Sequence, residues 1–131
     1  DSNFIIDSAN PVQTISYAGG GGNTPQNGRK INNSGLDLTL SATDAYLDQV
    51  YYQLVNTTDG LYWNNSSNGW LGVDTWNSLC TDGTSLGTNL ACSNISTTIN
   101  PTILDGKNYT LVFRSVDEAG NSVTSITHAY V

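Results

Sequence analysis

Hydrophobic and polar residues alternate through much of this chain, and the alternation marks out the elements. Leu36, Leu38, Leu40 and Ala42 are interleaved with Asp37, Thr39, Ser41 and Thr43. That is the period-two pattern of a strand with one buried and one wet face. Gln49 to Asn56 repeats it, with Val50, Tyr52 and Leu54 on one side, and Tyr109 to Val116 and Ser122 to Val131 form a closing pair. Shorter strands are expected at Val12 to Tyr17 and Asn94 to Ile99. Leu61-Tyr62-Trp63 and Trp70-Leu71 flank a run of Asn and Ser ending in Asn68-Gly69, which predicts a hairpin. Nothing carries a helical period. Roughly seven short strands separated by turn chemistry predict an all-β antiparallel sandwich.

Two turns sharpen the picture. Asp117-Glu118-Ala119-Gly120-Asn121 lies between the last two strands, where Gly and Asn supply the backbone freedom of a tight hairpin. Tyr109 comes just after the Leu104-Asp105-Gly106 turn, past Lys107 and Asn108, at the start of a late strand, the position of the tyrosine corner in immunoglobulin-type sandwiches.

Composition narrows the partners. Of 131 residues, 11 are acidic and 4 basic, for a net charge of −7. Such a surface repels phosphate backbones and anionic membranes, which argues against nucleic acid and lipid partners. No apolar stretch is long enough to span a bilayer, so no membrane insertion is expected. No segment resembles a signal peptide; an export signal would lie outside this chain. Cys80 and Cys92 lack the second pair of ligands that zinc needs, and a disulfide between them is expected, with an oxidising, extracellular setting.

Three short markers carry a family resemblance: Asp7-Ser8-Ala9-Asn10-Pro11, Ser41-Ala42-Thr43-Asp44, and Tyr109-Thr110-Leu111 followed by Asp117-Glu118-Ala119-Gly120-Asn121. With them the chain resembles the immunoglobulin-like repeats of large bacterial and archaeal cell-surface proteins of adhesin type. The resemblance implies residues 1–10 as a linker or the end of a preceding repeat, and residues 11–131 as the domain. Residues from about 59 to 93 depart from the pattern as an insertion holding all three Trp and both Cys. It also implies tandem repetition, with neighbouring domains of the same polypeptide or fibre as partners.

On a sandwich of this type the domain start, the loop joining its second and third strands and the last hairpin share one pole. Asp7, Asp44, Asp48, Asp117, Glu118 and Asn121 are therefore expected to converge. Calcium takes six to eight oxygens from such groups in flexible geometry, so calcium is the expected cofactor, with Asp7, Asp44, Asp117 and Asn121 as its main ligands. Asp and Asn in these places also serve as plain turn residues that bond their own backbone.

The insertion offers a different chemistry. Trp63, Trp70, Trp76 and Tyr62 are candidates for stacking on sugar rings of a glycan, or for contacting a host or cell-surface protein; the same hairpin also serves simply to close the sandwich. Lys30 and Lys107 are the lysines available for an isopeptide bond, and neither follows a core-facing pattern. His128, the one histidine, has no evident nucleophile beside it, so catalysis is not expected. Sequons begin at Asn32, Asn56, Asn64, Asn65, Asn94 and Asn108. The expected function is a non-catalytic, calcium-stiffened spacer repeat at the cell surface. Its alternatives are a carbohydrate- or protein-binding module, and a filament subunit whose residues 1–6 complete a neighbour's sheet.

Overall fold

The computed structural model describes residues 6, 8–15, 29–30, 35–44, 47–80, 90–104 and 106–130. They form ten strands and one helical turn: β1 (Val12–Ile15), β2 (Arg29–Lys30), β3 (Leu36–Thr43), β4 (Leu47–Asn56), β5 (Leu61–Asn64), β6 (Gly69–Leu71), β7 (Asn77–Ser78), α1 (Leu90–Ser93), β8 (Asn94–Ile99), β9 (Asn108–Asp117) and β10 (Ser122–Tyr130). One sheet runs β1-β3-β8; the other runs β2-β10-β9-β4-β5-β6, with β7 also on β4. The pairings are antiparallel except that β2 lies parallel to β10. This order is that of an immunoglobulin-type sandwich with extra strands added beyond β4.

The strand number corrects the expected seven. Two of the additions, β2 and β7, are two residues long and carry no readable period, because a bridge of that length needs only a neighbouring strand to bond. The helical turn α1 was also not expected, and it brings Cys92 to the core. The long strands match their patterns closely. Leu36, Leu38, Leu40 and Ala42 of β3 and Val50, Tyr52 and Leu54 of β4 are all buried, facing Leu111 and Phe113 of β9 and Ile95 and Ile99 of β8 across one core.

Polar residues tie the two sheets as well. Gln13 of β1 donates to Ser115 Oγ at 2.6 Å and accepts from Ser125 Oγ at 2.7 Å, so one amide links β1 to both β9 and β10. The tyrosine corner is formed: buried Tyr109 accepts a hydrogen bond from the Leu104 backbone N–H on its Oη, at 2.9 Å. The insertion is less a loop than an extension of the sheet. The β5–β6 hairpin pairs with Val55 and Asn56 of β4, and β7 takes the same edge farther along at Tyr51 and Tyr52. Asn68 closes that hairpin with φ of 54°, the left-handed geometry its Asn-Gly signal suggested.

Candidate functional site

Strand register brings together the segments that carry Asp44, Asp48, Asp117, Glu118 and Asn121. Val12 pairs with Thr43 and Leu47 with Asp117, so the start of β1, the β3–β4 connection and the β9–β10 turn lie together. The register of β4 slips between Leu47 and Gln49, which places Asp48 in a bulge beside Asp117. Asp44 and Asp48 are half-buried, Glu118 is exposed, and Asp7 lies outside the described residues.

Within the turn, Asp117 is 2 % exposed and directs its carboxylate at its own hairpin. Oδ1 accepts from the Ala119 N–H at 3.0 Å and the Asn121 N–H at 2.8 Å, and Oδ2 accepts from Asn121 Nδ2 at 2.9 Å. Two backbone bonds complete the clasp, Asp117 N–H to Asn121 O and Gly120 N–H to Asp117 O. Gly120 sits at φ of 88°, where an L side chain is strained, which explains the Gly. A carboxylate offers about four acceptor sites, and this one uses most of them in its own turn. Asp117 and Asn121 thus fit a metal poorly, because a cation would have to replace those bonds. Among the described residues no three His, Cys, Asp or Glu side chains stand together to hold a metal ion.

The aromatic candidates divide between two faces. Trp63 and Trp70 lie opposite one another in the β5–β6 hairpin, edge to face, with ring centroids 5.5 Å apart. Trp63 is buried in the core, and Trp70 packs on it and on Tyr109 while its Nε1 donates to Thr102 O at 2.9 Å. Both serve to close the sandwich. Tyr62, one residue before Trp63, belongs by strand alternation to the opposite face and is half-buried. Trp76 is also half-buried, lining a shallow groove with Gln49, Tyr51 and Val116, and the Arg114 guanidinium lies 6.0 Å from its ring centroid. The four aromatics do not form one platform.

The disulfide Cys80–Cys92 is present and sits against β4. Cys80 Sγ accepts from the Val50 N–H at 3.2 Å, and Cys92 Sγ lies 3.4 Å from Asp48 O. The bond holds the segment after β7 and the turn α1 along the open edge of β4. A second bridge is ionic: Lys107 reaches Asp59 at 3.1 Å. Hydrogen bonds from Lys107 first and then Asn56 hold the Asp59 carboxyl below the usual carboxylate range. Asn56 is buried and bonded to Asp59 in both directions, so its sequon is a turn lock. Asn65, Asn94 and Asn108 are exposed.

On the side of the sandwich where β8 edges one sheet and β7 edges the other lies a cleft of about 350 Å³. Asn65 and Asn68 of the β5–β6 turn, Ser78, Thr97 and Asn100 line it, together with Tyr52 from the core. Tyr52 is 1 % exposed, and its buried Oη meets the indole N–H of the equally buried Trp63. Burial pushes the Tyr52 phenol up to about 12, and the side-chain hydrogen bond with Trp63 pulls the other way. Sequence reasoning missed this cleft because its walls come from segments far apart in the chain, each an ordinary turn or strand locally.

Comparison with protein-family models, curated proteins and solved structures finds no match to this chain. Its functional reading therefore stands on its own geometry.

Proposed function

We propose that this chain is a non-catalytic structural module of an extracellular, cell-surface protein, a spacer of adhesin type whose partners are the neighbouring domains of its own polypeptide. The observation that supports it most is how the sandwich is tied. The Cys80–Cys92 disulfide, the Tyr109 corner, the Gln13 bridge and the Asp117 clasp each lock a different joint of the two sheets. A module that transmits force needs locks of this kind. A disulfide is also kept in oxidising compartments and lost in reducing ones, which supports the extracellular placement.

Calcium stiffening remains part of this proposal in a narrower form. With Asp117 and Asn121 bonded to each other, the other candidate ligands of the expected set are Asp7, Asp44, Asp48 and Glu118. Calorimetric titration of the EDTA-treated chain is the measurement: heat of binding and a rise in melting temperature with millimolar calcium support the metal, and their absence removes it while leaving the spacer. The spacer itself is tested by pulling the chain from its two ends. One cooperative unfolding event at high force, with the disulfide loop staying closed until a reductant is added, is expected. Gradual extension at low force would rule the spacer out.

A further inference from the structure

We propose that β8 is an interaction surface for a second copy of this chain. The two β8 strands pair antiparallel about a two-fold axis and join two β1-β3-β8 sheets into one. This goes beyond the spacer reading and does not depend on it, since it adds a sideways contact between copies to the end-to-end contacts of a spacer.

Three observations support it. The first is that β8 ends its sheet without the devices that protect such edges. Among the described residues no strand lies beyond it, and its register on β3 runs through all 6 residues without a bulge. Natural edges are kept short or carry charge, proline or a bulge, because their free N–H and C=O groups otherwise template another strand. The other sheet ends, β1, β2 and β6, have only 4, 2 and 3 residues. Residues 94–100 hold no charged residue, no proline and no glycine, in a chain whose net charge is −7, so two copies meet here without like charges facing.

The second is the sequence Asn94-Ile95-Ser96-Thr97-Thr98-Ile99-Asn100, which reads nearly the same in both directions about Thr97. Residues directly opposite in an antiparallel pair share a face. A two-fold pairing centred on Thr97 therefore sets Ile95 against the partner's Ile99, Ser96 against the partner's Thr98, and Thr97 against the partner's Thr97. An interface about a two-fold axis must be complementary to itself, and this strand is. The third is the exposure of Thr97. It alternates with buried Ile95 and Ile99 and lies opposite buried Leu38, which puts it on the core side of the sheet, yet it is exposed. A strand added beyond β8 covers it, in the Thr–Thr contact that stabilises cross-strand pairs.

Sedimentation equilibrium of the disulfide-intact chain at concentrations up to about 1 mM is the test, and a reversible dimer with a Kd of about 100 μM is expected. Concentration-dependent NMR shifts should fall on 94–100 and on β3 beside them. Thr97→Lys and Thr97→Asp each set like charges opposite one another and should weaken association about tenfold, while melting close to wild type because position 97 is exposed. Mixed in equal amounts, the two variants should recover a dimer at least as tight as that of wild type, which no interface away from the two-fold at Thr97 would give. If either variant fails to fold, the position of the wild-type shifts decides the matter. Four results would overturn the proposal: the mass of a single chain up to about 1 mM, shifts that leave β8 unmoved, unchanged association in both charged variants, or no recovery on mixing them.

Discussion

The β9–β10 turn and the cleft beside β7 contain similar polar atoms and treat them in opposite ways. In the turn, a buried carboxylate meets N–H groups from residues two and four positions later, so five consecutive residues satisfy one another. Beside the cleft, the buried Tyr52 hydroxyl of β4 meets the indole N–H of Trp63 from β5, a partner from another strand. The lesson concerns where function is to be sought. An acidic turn is conspicuous in a sequence, yet its buried carboxylate, Asp117, is spent on holding a hairpin. A neutral tyrosine in a strand is inconspicuous, yet its hydroxyl is matched in the core by an indole from another strand.

The two tyrosines of the core make the same contrast more closely. Tyr109 Oη is bonded to the Leu104 backbone N–H, whereas Tyr52 Oη meets a side-chain donor, the Trp63 indole N–H. Both rings are buried against the same cluster. What differs is whether a backbone donor happens to end near the ring's tip.

Breaking the clasp should have the largest effect. Asp117→Ala removes at least three hydrogen bonds to a buried carboxylate and is expected to cost about 3 kcal/mol or more in urea unfolding, with exchange of the 117–121 amides accelerated. A loss below about 1 kcal/mol would mean that the turn holds itself without the side chain. Reduction of Cys80–Cys92, whose sequence separation is 12, is expected to cost about 3 kcal/mol from loop closure, read as a shift in the urea midpoint. Because Ser78 and Leu79 adjoin Cys80 in the cleft wall, reduction should also blur the NMR signals of the cleft and leave those of the β9–β10 turn sharp.

Alkaline pH sharpens the contrast further. The unfolded chain releases the Tyr52 proton near its ordinary value of 10.0 and the folded chain only near 12, so the folded state holds more protons between them. Its stability contribution is full below pH 10 and is lost on the way to pH 12, by about 2–3 kcal/mol, and the loss should be absent in Tyr52→Phe. The smallest effect is at neutral pH. Tyr109→Phe is expected to destabilise by about 1 kcal/mol through the lost corner bond, and Tyr52→Phe by less, since its hydroxyl meets an indole N–H rather than a backbone N–H. A larger loss in Tyr52→Phe than in Tyr109→Phe would show that the indole contact is the stronger of the two.

Much of the fold was legible in the residues because its signals are local. The alternation of β3 and β4, the Asn68-Gly69 turn and the placement of Tyr109 before a late strand all follow from steric and burial rules acting over a few residues. The nearness of the β3–β4 and β9–β10 connections followed from strand order, and the register of β1 on β3 and of β4 on β9 has it. What the carboxylates of those connections do was not legible, because a turn aspartate and a ligand aspartate have the same neighbours in sequence. Trp63 and Trp70 were equally ambiguous: an aromatic hairpin reads alike whether its rings face solvent or the core.

The chain by itself determined the alternating strands, the turns between them and the corner at Tyr109, since each depends on backbone freedom and periodicity within a short window. Only the tertiary structure decided that the insertion extends a sheet, that the disulfide lies along β4, that Trp63 is core, and that the buried Tyr52 hydroxyl meets its indole. Whether a polar atom is satisfied depends on which distant strand ends beside it, and no local pattern carries that information.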